Sequence, residues 1–324
     1  MRGCSPHPAR FVLIPLLGSS APGFQGSCES KPFPETRYAE SSRLTITPST
    51  ILITGCSSGI GLCVAQGLRA RGHRVFATAR QHEDVGRLVA MGFESHHLDL
   101  DDPASIQASV TWALSHTGGT LDALFNNGAF GQPGAVEDLS RDALRAQFET
   151  NLFGTHELTR LVLPVMARQG HGRVIQNSSV LGFVALPYRG AYVASKFALE
   201  GLTDTLRLEW QGTGLHFILI EPGPIRTRFR ANATLAFKRH VDAPSSRHAQ
   251  RYQAMESHFK QKAQQGGGTF SLPPEAVLAK VIHALESPKP RNRYRVTTPT
   301  HLFAVLKRLL PERVMDAILA RAWL

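Results

Sequence analysis

Short apolar runs rich in β-branched residues alternate with amphipathic stretches of helical length from Thr50 onward. Strands and helices that alternate in this way form βαβ units, whose parallel strands are buried on both faces of one sheet. The pattern therefore predicts an α/β fold with a doubly wound parallel sheet and helices on both faces. Its first six strands are expected at Ile51–Thr54, Arg74–Thr78, Glu94–Leu98, Leu121–Phe125, Arg173–Gln176 and His216–Ile220.

Four helices are predicted between these strands. Pro103 suits the first turn of a helix, because the N–H group that proline lacks has no partner there. Gly170 and Gly172 are expected to end a long helix that begins at Arg141. The predicted helices are Ile60–Arg71, Pro103–His116, Arg141–Arg168 and Ala191–Gln211.

The alternation then ends. Residues 228–270 are basic and rich in alanine and glutamine, with apolar positions such as Phe229, and they predict a mobile lid rather than a component of the sheet. Beyond the lid, the pattern predicts a helix at Pro273–Leu285 and a last strand at Tyr294–Thr297. Residues 301–324 read as an amphipathic tail broken by a proline.

Composition limits the organisation of the chain. With 324 residues, of which 42% are hydrophobic, it can bury a sizeable core as one α/β domain with appendages. Residues 1–48 contain much proline, glycine and serine and are expected to be a disordered extension. Residues 49–227 are the predicted core and residues 228–270 the lid. Residues 271–324 are expected to add the C-terminal helices and the last strand of the same domain.

Cysteine and histidine usage bears on the compartment and on metals. The chain has neither a disulfide pattern nor metal-ligand spacing among its cysteines, which indicates a reducing compartment and predicts a cytoplasmic protein. Its 14 histidines are scattered, so no metal is predicted. No apolar run approaches the roughly 20 residues that span a bilayer. The cysteines are Cys4, Cys28, Cys56 and Cys63.

The formal net charge of +11 is concentrated towards the C-terminus. Residues 228–324 carry 17 basic and 6 acidic side chains, whereas residues 49–227 carry 14 and 16. No DNA- or RNA-binding motif accompanies the basic segment, so nucleic acid is not an expected partner. An acidic membrane face, an anionic ligand or a solvated surface is favoured instead.

A glycine-rich turn, Thr-Gly-Cys-Ser-Ser-Gly-Ile-Gly at residues 54–61, joins the first strand to the first helix. Glycines permit a tight turn, let the backbone approach a pyrophosphate and allow close packing of helix on strand. The N–H groups of the helix N-terminus can then bind the anion. The turn predicts a dinucleotide site that includes Gly55, Ser57, Ser58, Gly59, Ile60 and Gly61.

The end of the second strand indicates which dinucleotide binds. An NAD site is expected to end this strand with an acidic residue that binds the ribose 2′-hydroxyl. Here the strand ends Phe-Ala-Thr-Ala-Arg at residues 76–80, with no acid and with a guanidinium that can bind a 2′-phosphate. We therefore expect NADP(H) to be preferred over NAD(H). The alternative is that Arg80 is an ordinary surface residue.

Lys196 is the single lysine between Leu44 and Ile225, a region that otherwise uses arginine. It follows Tyr192 by four residues, so the two side chains share a face of the predicted helix. A nearby ammonium favours phenolate and is predicted to lower the pKa of Tyr192 from its usual value of about 10. Such a pair suits proton transfer in carbonyl–alcohol chemistry, although by itself it also fits a solvated helix face.

Taken in this order, the motifs resemble the short-chain dehydrogenase/reductase family over about residues 50–227. The resemblance implies a Rossmann sheet and oxidoreductase activity with a nicotinamide cofactor. The glycine turn and Tyr-Val-Ala-Ser-Lys-Phe-Ala-Leu-Glu-Gly at residues 192–201 are most similar to 17-beta-hydroxysteroid and retinol dehydrogenases and to bacterial aldehyde reductases. This similarity indicates a lipophilic carbonyl, but substrate identity transfers poorly within a fold.

The resemblance also implies cofactor contacts. Asp99 matches the residue that contacts adenine, and the segment at residues 222–227 resembles the one that binds the nicotinamide carboxamide. Residues 126–129 read Asn-Asn-Gly-Ala where the family usually has Asn-Asn-Ala-Gly, which leaves the ribose contacts open. The implied contacts beyond the glycine turn are Arg80, Asp99, Leu100, Asn126, Gly128, Tyr192, Lys196, Pro222, Gly223, Ile225 and Thr227.

Four catalytic residues are implied in the same way. Tyr192 would exchange a proton with the substrate oxygen, and Ser179 would hydrogen-bond to that oxygen. Lys196 would hold the nicotinamide ribose and lower the pKa of the tyrosine, while Asn151 would link Lys196 to solvent. Ser178 competes with Ser179, which is preferred because it lies 13 residues before Tyr192, within the family's usual spacing. Ser178 is expected to be a structural hydroxyl.

Together these residues predict an NADPH-dependent reductase of a hydrophobic aldehyde or ketone, reversible in principle. The substrate is expected to touch Ser179, Leu181, Phe183 and Tyr192, in a pocket walled by Leu181, Phe183, Val184, Leu186 and Phe130. One alternative is a non-catalytic NADP-binding regulator, a class that commonly lacks the tyrosine or the lysine. Another is an epimerase or dehydratase of nucleotide sugars, which would have a different glycine spacing and a larger C-terminal domain.

Two interpretations of the basic tail stay open. It can seat the protein on an acidic membrane surface, which would suit a lipophilic substrate. Alternatively, it can pack on the body of the protein or on a neighbouring subunit of a homo-oligomer.

Overall fold

Seven parallel strands form one sheet in the computed structural model, in the order β3-β2-β1-β4-β5-β6-β7. The structure describes residues 47–264, 268 and 270–321, all within one compact unit. Each predicted strand is confirmed, with ends that differ by one or two residues. The strands are β1 Thr50–Ile53, β2 Arg74–Ala79, β3 Glu94–His97, β4 Ala123–Asn126, β5 Gly172–Asn177, β6 Leu215–Pro222 and β7 Arg293–Val296.

Helices connect and cover the strands. They are α1 Gly59–Ala70, α2 His82–Ala90, α3 Pro103–His116, α4 Arg141–Phe148, α5 Thr155–Gln169, α6 Gly190–Glu209, α7 Phe229–His240, α8 Ala249–Gln264, α9 Glu275–Glu286, α10 Thr298–Leu309 and α11 Glu312–Arg321. The sequence pattern did not predict α2. The physical reason is that this helix is only 9 residues long and places just Leu88 and the partly buried Val85 against the core, so its apolar pattern is short.

The sheet is buried on both faces, and successive side chains of a strand enter two different apolar clusters. Ile51 and Ile53 of β1 pack with α1 and α9 on one face. Leu52, between them, packs with α3 and α5 on the other face. A strand with two buried faces is a continuous apolar run in the sequence. The predicted doubly wound sheet with helices on both faces is thereby confirmed.

The order of the strands reverses beside β1. Strands β2 and β3 lie on one side of β1, and β4 to β7 lie on the other. At such a point the chain leaves neighbouring strands towards opposite faces, and a crevice opens at their carboxyl ends. Gly55 follows β1 and Asn126 ends β4, so both residues lie at the mouth of this crevice.

The long helix predicted over Arg141–Arg168 is interrupted. A π-helical turn at Glu149–Gly154 separates α4 from α5. A Cβ on Gly154 would lie only 1.9 Å from the carbonyl oxygen of Leu100, so the backbone here packs against the loop after β3. Turns of this kind often occur at functional sites, and this one carries Asn151.

The segment predicted as a lid contains α7 and α8. Tyr252 of α8 is buried, and its hydroxyl accepts a hydrogen bond from the backbone N–H of Ala135 at 2.8 Å and contacts the Asp138 carboxylate. Helix α8 is thus attached to the loop that follows β4. Residues 265–267 and 269 of the predicted lid lie outside the described residues, as does the predicted extension up to residue 46.

The amphipathic tail forms α10 and α11, which are separated at Pro311 as predicted. Met315 and Leu319 of α11 are buried against Leu181 and Val184. The inner face of the tail therefore packs on the body of the protein. Residues 322–324 lie outside the described part of the chain.

Among the described residues, no helix combines the length and the apolar character needed to cross a membrane.

Candidate functional site

The turn between β1 and α1 has no room for side chains at its glycines. Gly55 and Gly59 have φ values of +71° and +59°, a left-handed conformation that side chains disfavour. A Cβ on Gly61 would lie 2.2 Å from the carbonyl oxygen of Gly55. The first turn of α1 holds no acidic residue, so its free N–H groups keep their positive potential for an anion. Ser57, Ser58 and Ile60 are partly exposed in this turn.

The loop after β4 closes on the glycine turn. The Thr54 hydroxyl accepts hydrogen bonds from the backbone N–H groups of Asn127 and Gly128, at 2.9 and 2.8 Å. The Asn127 amide in turn donates to the carbonyl oxygens of Thr54 and Gly55. A Cβ on Gly128 would lie 3.0 Å from the buried Leu100 side chain and 3.2 Å from the Thr54 hydroxyl. This crowding gives a physical reason for glycine where the family pattern has alanine.

Predicted cofactor residues at three other strand ends face the same edge of the sheet. Arg80 follows β2 directly and is exposed. Asp99 follows β3, and its carboxylate accepts the backbone N–H of Asp101 at 3.1 Å. Asn126 is buried and donates to the Thr159 hydroxyl at 2.9 Å, while its Oδ1 has no hydrogen-bond partner among the described residues. Leaving a buried amide oxygen unpaired costs about 1–3 kcal/mol, so a ligand hydroxyl would fit here.

The segment after β6 borders the glycine turn. A Cβ on Gly59 would lie 3.0 Å from the Thr227 methyl group. Strand β6 ends at Pro222. Beyond it, Ile225 forms an isolated β-bridge with Leu272. Gly223 lies against Thr297, since a Cβ there would be 2.1 Å from the Thr297 hydroxyl. The glycine turn, the orphaned amide oxygen and the exposed cation after β2 together fit a bound dinucleotide.

Tyr192 and Ser179 meet near the carboxyl end of β5. The Ser179 hydroxyl accepts a hydrogen bond from the backbone N–H of Leu181 at 3.1 Å. Burial raises the pKa of Tyr192 to about 12, and its hydrogen bond with Ser179 opposes this only in part. The predicted pKa below 10 is therefore wrong for this structure, because burial outweighs any lowering by the Lys196 ammonium.

Lys196 lies beside the ring of Tyr192. Lys196 is buried one turn after Tyr192 on α6, as the spacing predicts. Its ammonium donates to the carbonyl oxygen of Asn177 at 2.7 Å and lies 5.8 Å from the centre of the Tyr192 ring. Burial lowers the pKa of Lys196 to about 8, and the Glu200 carboxylate opposes that shift. The charge is thus held beside the Tyr192 ring by a backbone carbonyl at the end of β5.

Asn151 is buried in the π-helical turn and holds the loop after β4. Its amide donates to the carbonyl oxygen of Phe130 at 2.9 Å and to the Ser195 hydroxyl at 3.1 Å, and its Oδ1 accepts the N–H of Phe130. The Ser195 hydroxyl donates to the carbonyl oxygen of Tyr192. The described hydrogen bonds therefore tie Asn151 to the helix turn of Tyr192 and do not run directly to Lys196.

The predicted apolar wall is brought together, with one exception. Leu181, Phe183, Val184 and Leu186 belong to one cluster that Tyr192 borders and that α11 covers. Phe130 is not part of this cluster, and its backbone is hydrogen-bonded to the Asn151 amide instead. A cavity of about 360 Å³ adjoins the wall, and its lining is mostly apolar. The cavity is lined by Val136, Ala185, Leu186, Pro187, Tyr188, Gly190, Val193, Asp316, Leu319 and Ala320.

Phe229, the first residue of α7, was not predicted to belong to the site. Its ring packs edge-on against Tyr192, with centroids 5.4 Å apart and planes at 64°. Gly131 allows this approach, since a Cβ there would lie 2.9 Å from the Phe229 ring. The sequence marks Phe229 only as an apolar position in the lid, and nothing in its spacing connects it with a tyrosine on another helix.

Comparison with known proteins agrees with this arrangement. Residues 49–236 match the family model described as short chain dehydrogenase. The uncharacterized oxidoreductase YbbO of Escherichia coli strain K12 is 43% identical over 85% of this chain and 95% of its own. Human 17-beta-hydroxysteroid dehydrogenase type 1 is 34% identical over 77% of this chain and 77% of its own.

Structural comparison gives the same result. The crystal structure of a short-chain dehydrogenase from Streptomyces avermitilis aligns with a TM-score of 0.64 at 29% identity, over 81% of this chain and 95% of that one. The matched region holds the glycine turn, Ser179, Tyr192 and Lys196, so the resemblance inferred from these motifs is confirmed. The chain belongs to the short-chain dehydrogenase family and is an oxidoreductase.

Proposed function

We propose that the protein is an NADPH-dependent carbonyl reductase, which reduces a hydrophobic aldehyde or ketone to an alcohol and can act in reverse. The observation that carries the proposal is the meeting of Tyr192, Ser179 and Lys196 at the end of β5, beside an apolar wall. These groups supply a proton, a second hydrogen bond and a positive charge around one point. That is the set of functions that carbonyl reduction requires.

The cofactor would be held by residues at or just after the ends of strands β1, β2, β4 and β6. The backbone N–H groups at the start of α1 would bind the pyrophosphate, and Arg80 would bind the 2′-phosphate. The unpaired Oδ1 of Asn126 would accept a ribose hydroxyl, and Ile225 with Thr227 would hold the carboxamide. NADPH bound in this way would supply the hydride.

Tyr192 is suited to act as the acid in reduction. With a pKa near 12 its phenol is protonated at neutral pH, and it can give its proton to the substrate oxygen as negative charge develops there. Ser179 would donate a second hydrogen bond to the same oxygen. The Lys196 ammonium, 5.8 Å from the ring, would stabilise the phenolate that remains.

The substrate class is inferred from the wall. Leu181, Phe183, Val184 and Leu186 offer an apolar surface next to Tyr192, and the adjoining cavity has mostly apolar lining. On such a surface, an apolar substrate gains about 25 cal/mol of binding free energy for each Å² of its apolar surface that is removed from water. A relative with 34% identity is named for a hydroxysteroid, which is a lipophilic alcohol.

The test is the loss of NADPH absorbance on purified protein, with hydrophobic aldehydes and ketones compared against polar sugars. We expect NADPH to be oxidised with the hydrophobic compounds and Tyr192→Phe to abolish this. Tyr294→Phe is the matched control, because it removes another buried tyrosine hydroxyl, one bonded to His283. Turnover of the polar compounds alone would reject the substrate class. Tight binding of NADPH without turnover would favour the non-catalytic regulator.

A further inference from the structure

A row of charged side chains continues along α6 beyond the Tyr192–Lys196 pair. Glu200 and Asp204 follow at intervals of four residues, so they lie on the same face of the helix as Lys196. Glu200 is only 6% exposed. A carboxylate at this depth is costly unless other groups compensate its charge, so its partners show what it does.

One oxygen of Glu200 is paired with β7. Arg293 donates to Glu200 Oε2 at 2.9 Å and to Asp204 at 2.7 Å, and it also forms an ion pair with Glu221 of β6 at 2.9 Å. Two further cations border this cluster. They are Arg295, paired with Glu221, and Arg207, paired with Asp204.

The other oxygen of Glu200, Oε1, lies near Ser178 and Gly182, in the segment that follows β5 and contains Ser179. A Cβ on Gly182 would lie 2.5 Å from the Ser178 hydroxyl and 2.9 Å from Glu200 Oε1, so these two oxygens lie side by side. The Ser178 hydroxyl beside Oε1 favours the charged form of the carboxylate. Ser178 directly follows Asn177, whose carbonyl oxygen holds the Lys196 ammonium. Oε1 therefore lies beside the strand end that positions Lys196.

Glu200 and Lys196 are both buried and lie one helical turn apart on α6, so their charges interact through surroundings that screen them little. The Glu200 carboxylate raises the pKa of Lys196 against the lowering that burial causes. Burial raises the pKa of Glu200 itself to about 7, and the hydrogen bond with Ser178 and the charge of Arg293 oppose that shift. Above neutral pH, Glu200 is therefore an anion one helical turn from a buried ammonium that has no carboxylate among its described hydrogen-bond partners.

We propose that Glu200 is a positioning residue, whose buried carboxylate is the counter-charge that keeps Lys196 an ammonium beside Tyr192. The effect of Glu200 on turnover rests on the proposed function, but the effect of Glu200 on the protonation of Lys196 does not. The cluster around Arg293 then has two roles: it joins β7 to α6, and it orients one carboxylate oxygen towards the reacting residues.

The experiment is an NMR titration of Lys196 in protein labelled with ¹³C and ¹⁵N in lysine only. The Lys196 signal is identified by its loss in Lys196→Met. In the wild type we expect a midpoint near pH 8, and in Glu200→Gln a midpoint lower by about 1 pH unit. Asp204→Asn is the matched control, since it also loses a contact with Arg293 but lies one turn further from Lys196. Its midpoint should equal that of the wild type.

Equal midpoints in the wild type and in Glu200→Gln would overturn the proposal, whether or not a substrate is known. Glu200→Asp keeps the charge, so a shift as large as that of Glu200→Gln would also overturn it. If Glu200→Gln does not fold, the wild-type curve decides. The Lys196 signal should then show a second inflection near pH 7, where Glu200 ionises, and a single inflection would contradict the coupling.

Turnover gives a second readout once a substrate is found. Alcohol oxidation requires Tyr192 as a base, and less ammonium at Lys196 means a higher pKa for that tyrosine. In a plot of kcat/KM for alcohol oxidation against pH, the rising limb should therefore move to higher pH in Glu200→Gln. It should stay in place in Asp204→Asn. A purely structural role of Glu200 would lower kcat at every pH without moving the limb. Absence of any turnover together with a lowered Lys196 midpoint would contradict only the proposed function.

Discussion

Burial decides how the two central residues behave as an acid and a base. It raises the pKa of Tyr192 to about 12 and lowers that of Lys196 to about 8, because the apolar surroundings disfavour both charged forms. A protonated phenol is the form needed to reduce a carbonyl at neutral pH. Oxidation of the alcohol needs the opposite form, so it should become faster as the pH rises.

Lys196→Met should remove catalysis without unfolding the protein. The thioether occupies similar space but cannot stabilise the Tyr192 phenolate, so turnover should fall by about 100-fold or more. The measurement is NADPH oxidation at a fixed substrate concentration, together with the midpoint of thermal unfolding. Turnover close to that of the wild type would contradict the role given to Lys196.

Lys196 should also make stability depend on pH. Because its pKa falls from 10.5 to about 8 on folding, the unfolded chain binds more protons than the folded chain between these values. The free energy of unfolding should therefore rise with pH across this window, by about 1.4 kcal/mol for each unit of pKa difference. Lys196→Met should lack this rise. Urea unfolding of both proteins at several pH values measures this dependence. If the free energy of unfolding changes with pH in the same way in both, the Lys196 ammonium is not buried.

Arg80→Ala should weaken NADPH binding by about 10- to 100-fold, the value of a hydrogen bond to a charged group. NADH lacks the 2′-phosphate, so its affinity should change little. Calorimetric titration with both cofactors checks this, and Arg168→Ala, which alters an exposed arginine at the end of α5, is the control. If Arg80→Ala lost the same factor of affinity for NADPH and for NADH, Arg80 would have a role other than selecting the cofactor.

At the scale of elements, two irregular turns carry much of the site. The glycine turn after β1 presents backbone N–H groups because it has no room for side chains. The π-helical turn at Glu149–Gly154 places Asn151 where its amide holds the loop after β4. The first was predicted because glycine spacing is visible in the sequence. The second was not, because its backbone packs against Leu100, a contact that no local pattern specifies.

Gly61→Ala should damage the glycine turn. Its methyl group would meet the carbonyl oxygen of Gly55, so the turn must open, and NADPH affinity should fall by at least about 10-fold, together with a loss of stability. Gly86→Ala is the control, because a Cβ on this glycine of α2 meets nothing within 4 Å. It should stabilise the protein by up to about 1 kcal/mol. Similar affinities for NADPH in both variants would contradict a backbone cradle at Gly61.

At the scale of the whole molecule, the segments after β6 return to the catalytic region. Phe229 of α7 covers Tyr192, and Met315 and Leu319 of α11 cover the apolar wall. The outer face of the tail is different. Leu302, Val305 and Leu309 are 53%, 53% and 73% exposed and share one side of α10. This leaves an apolar stripe on the segment of the chain that carries most of the positive charge.

We expect this stripe to bind acidic membranes, since apolar area and electrostatic attraction act together at such surfaces. Sedimentation with phosphatidylcholine vesicles, with and without phosphatidylserine, should show more bound protein with the acidic lipid and less at high salt. Serine at Leu302, Val305 and Leu309 together should reduce binding. Serine at Leu208 and Leu235, which are 62% and 69% exposed elsewhere, should not. Equal sedimentation of both variants and the wild type would reject membrane contact.

The sequence by itself determined the order of strands and helices, the glycine turn and the positions of Ser179, Tyr192 and Lys196. These features are local: hydrophobic periodicity and the spacing of a few residues are enough to specify them. Local patterns did not predict helix α2, and they did not predict the interruption between α4 and α5. There the outcome depends on packing against another part of the chain.

Only the tertiary structure decided how the predicted residues are tuned. The pKa values of Tyr192 and Lys196 follow from burial, which no local pattern specifies. The contact of Phe229 with Tyr192 and the bond between Arg293 and Glu200 join residues that are distant in the chain, the latter two by 93 positions. Such contacts exist only once the sheet is assembled, because the order of its strands, not the spacing of its residues, brings them together.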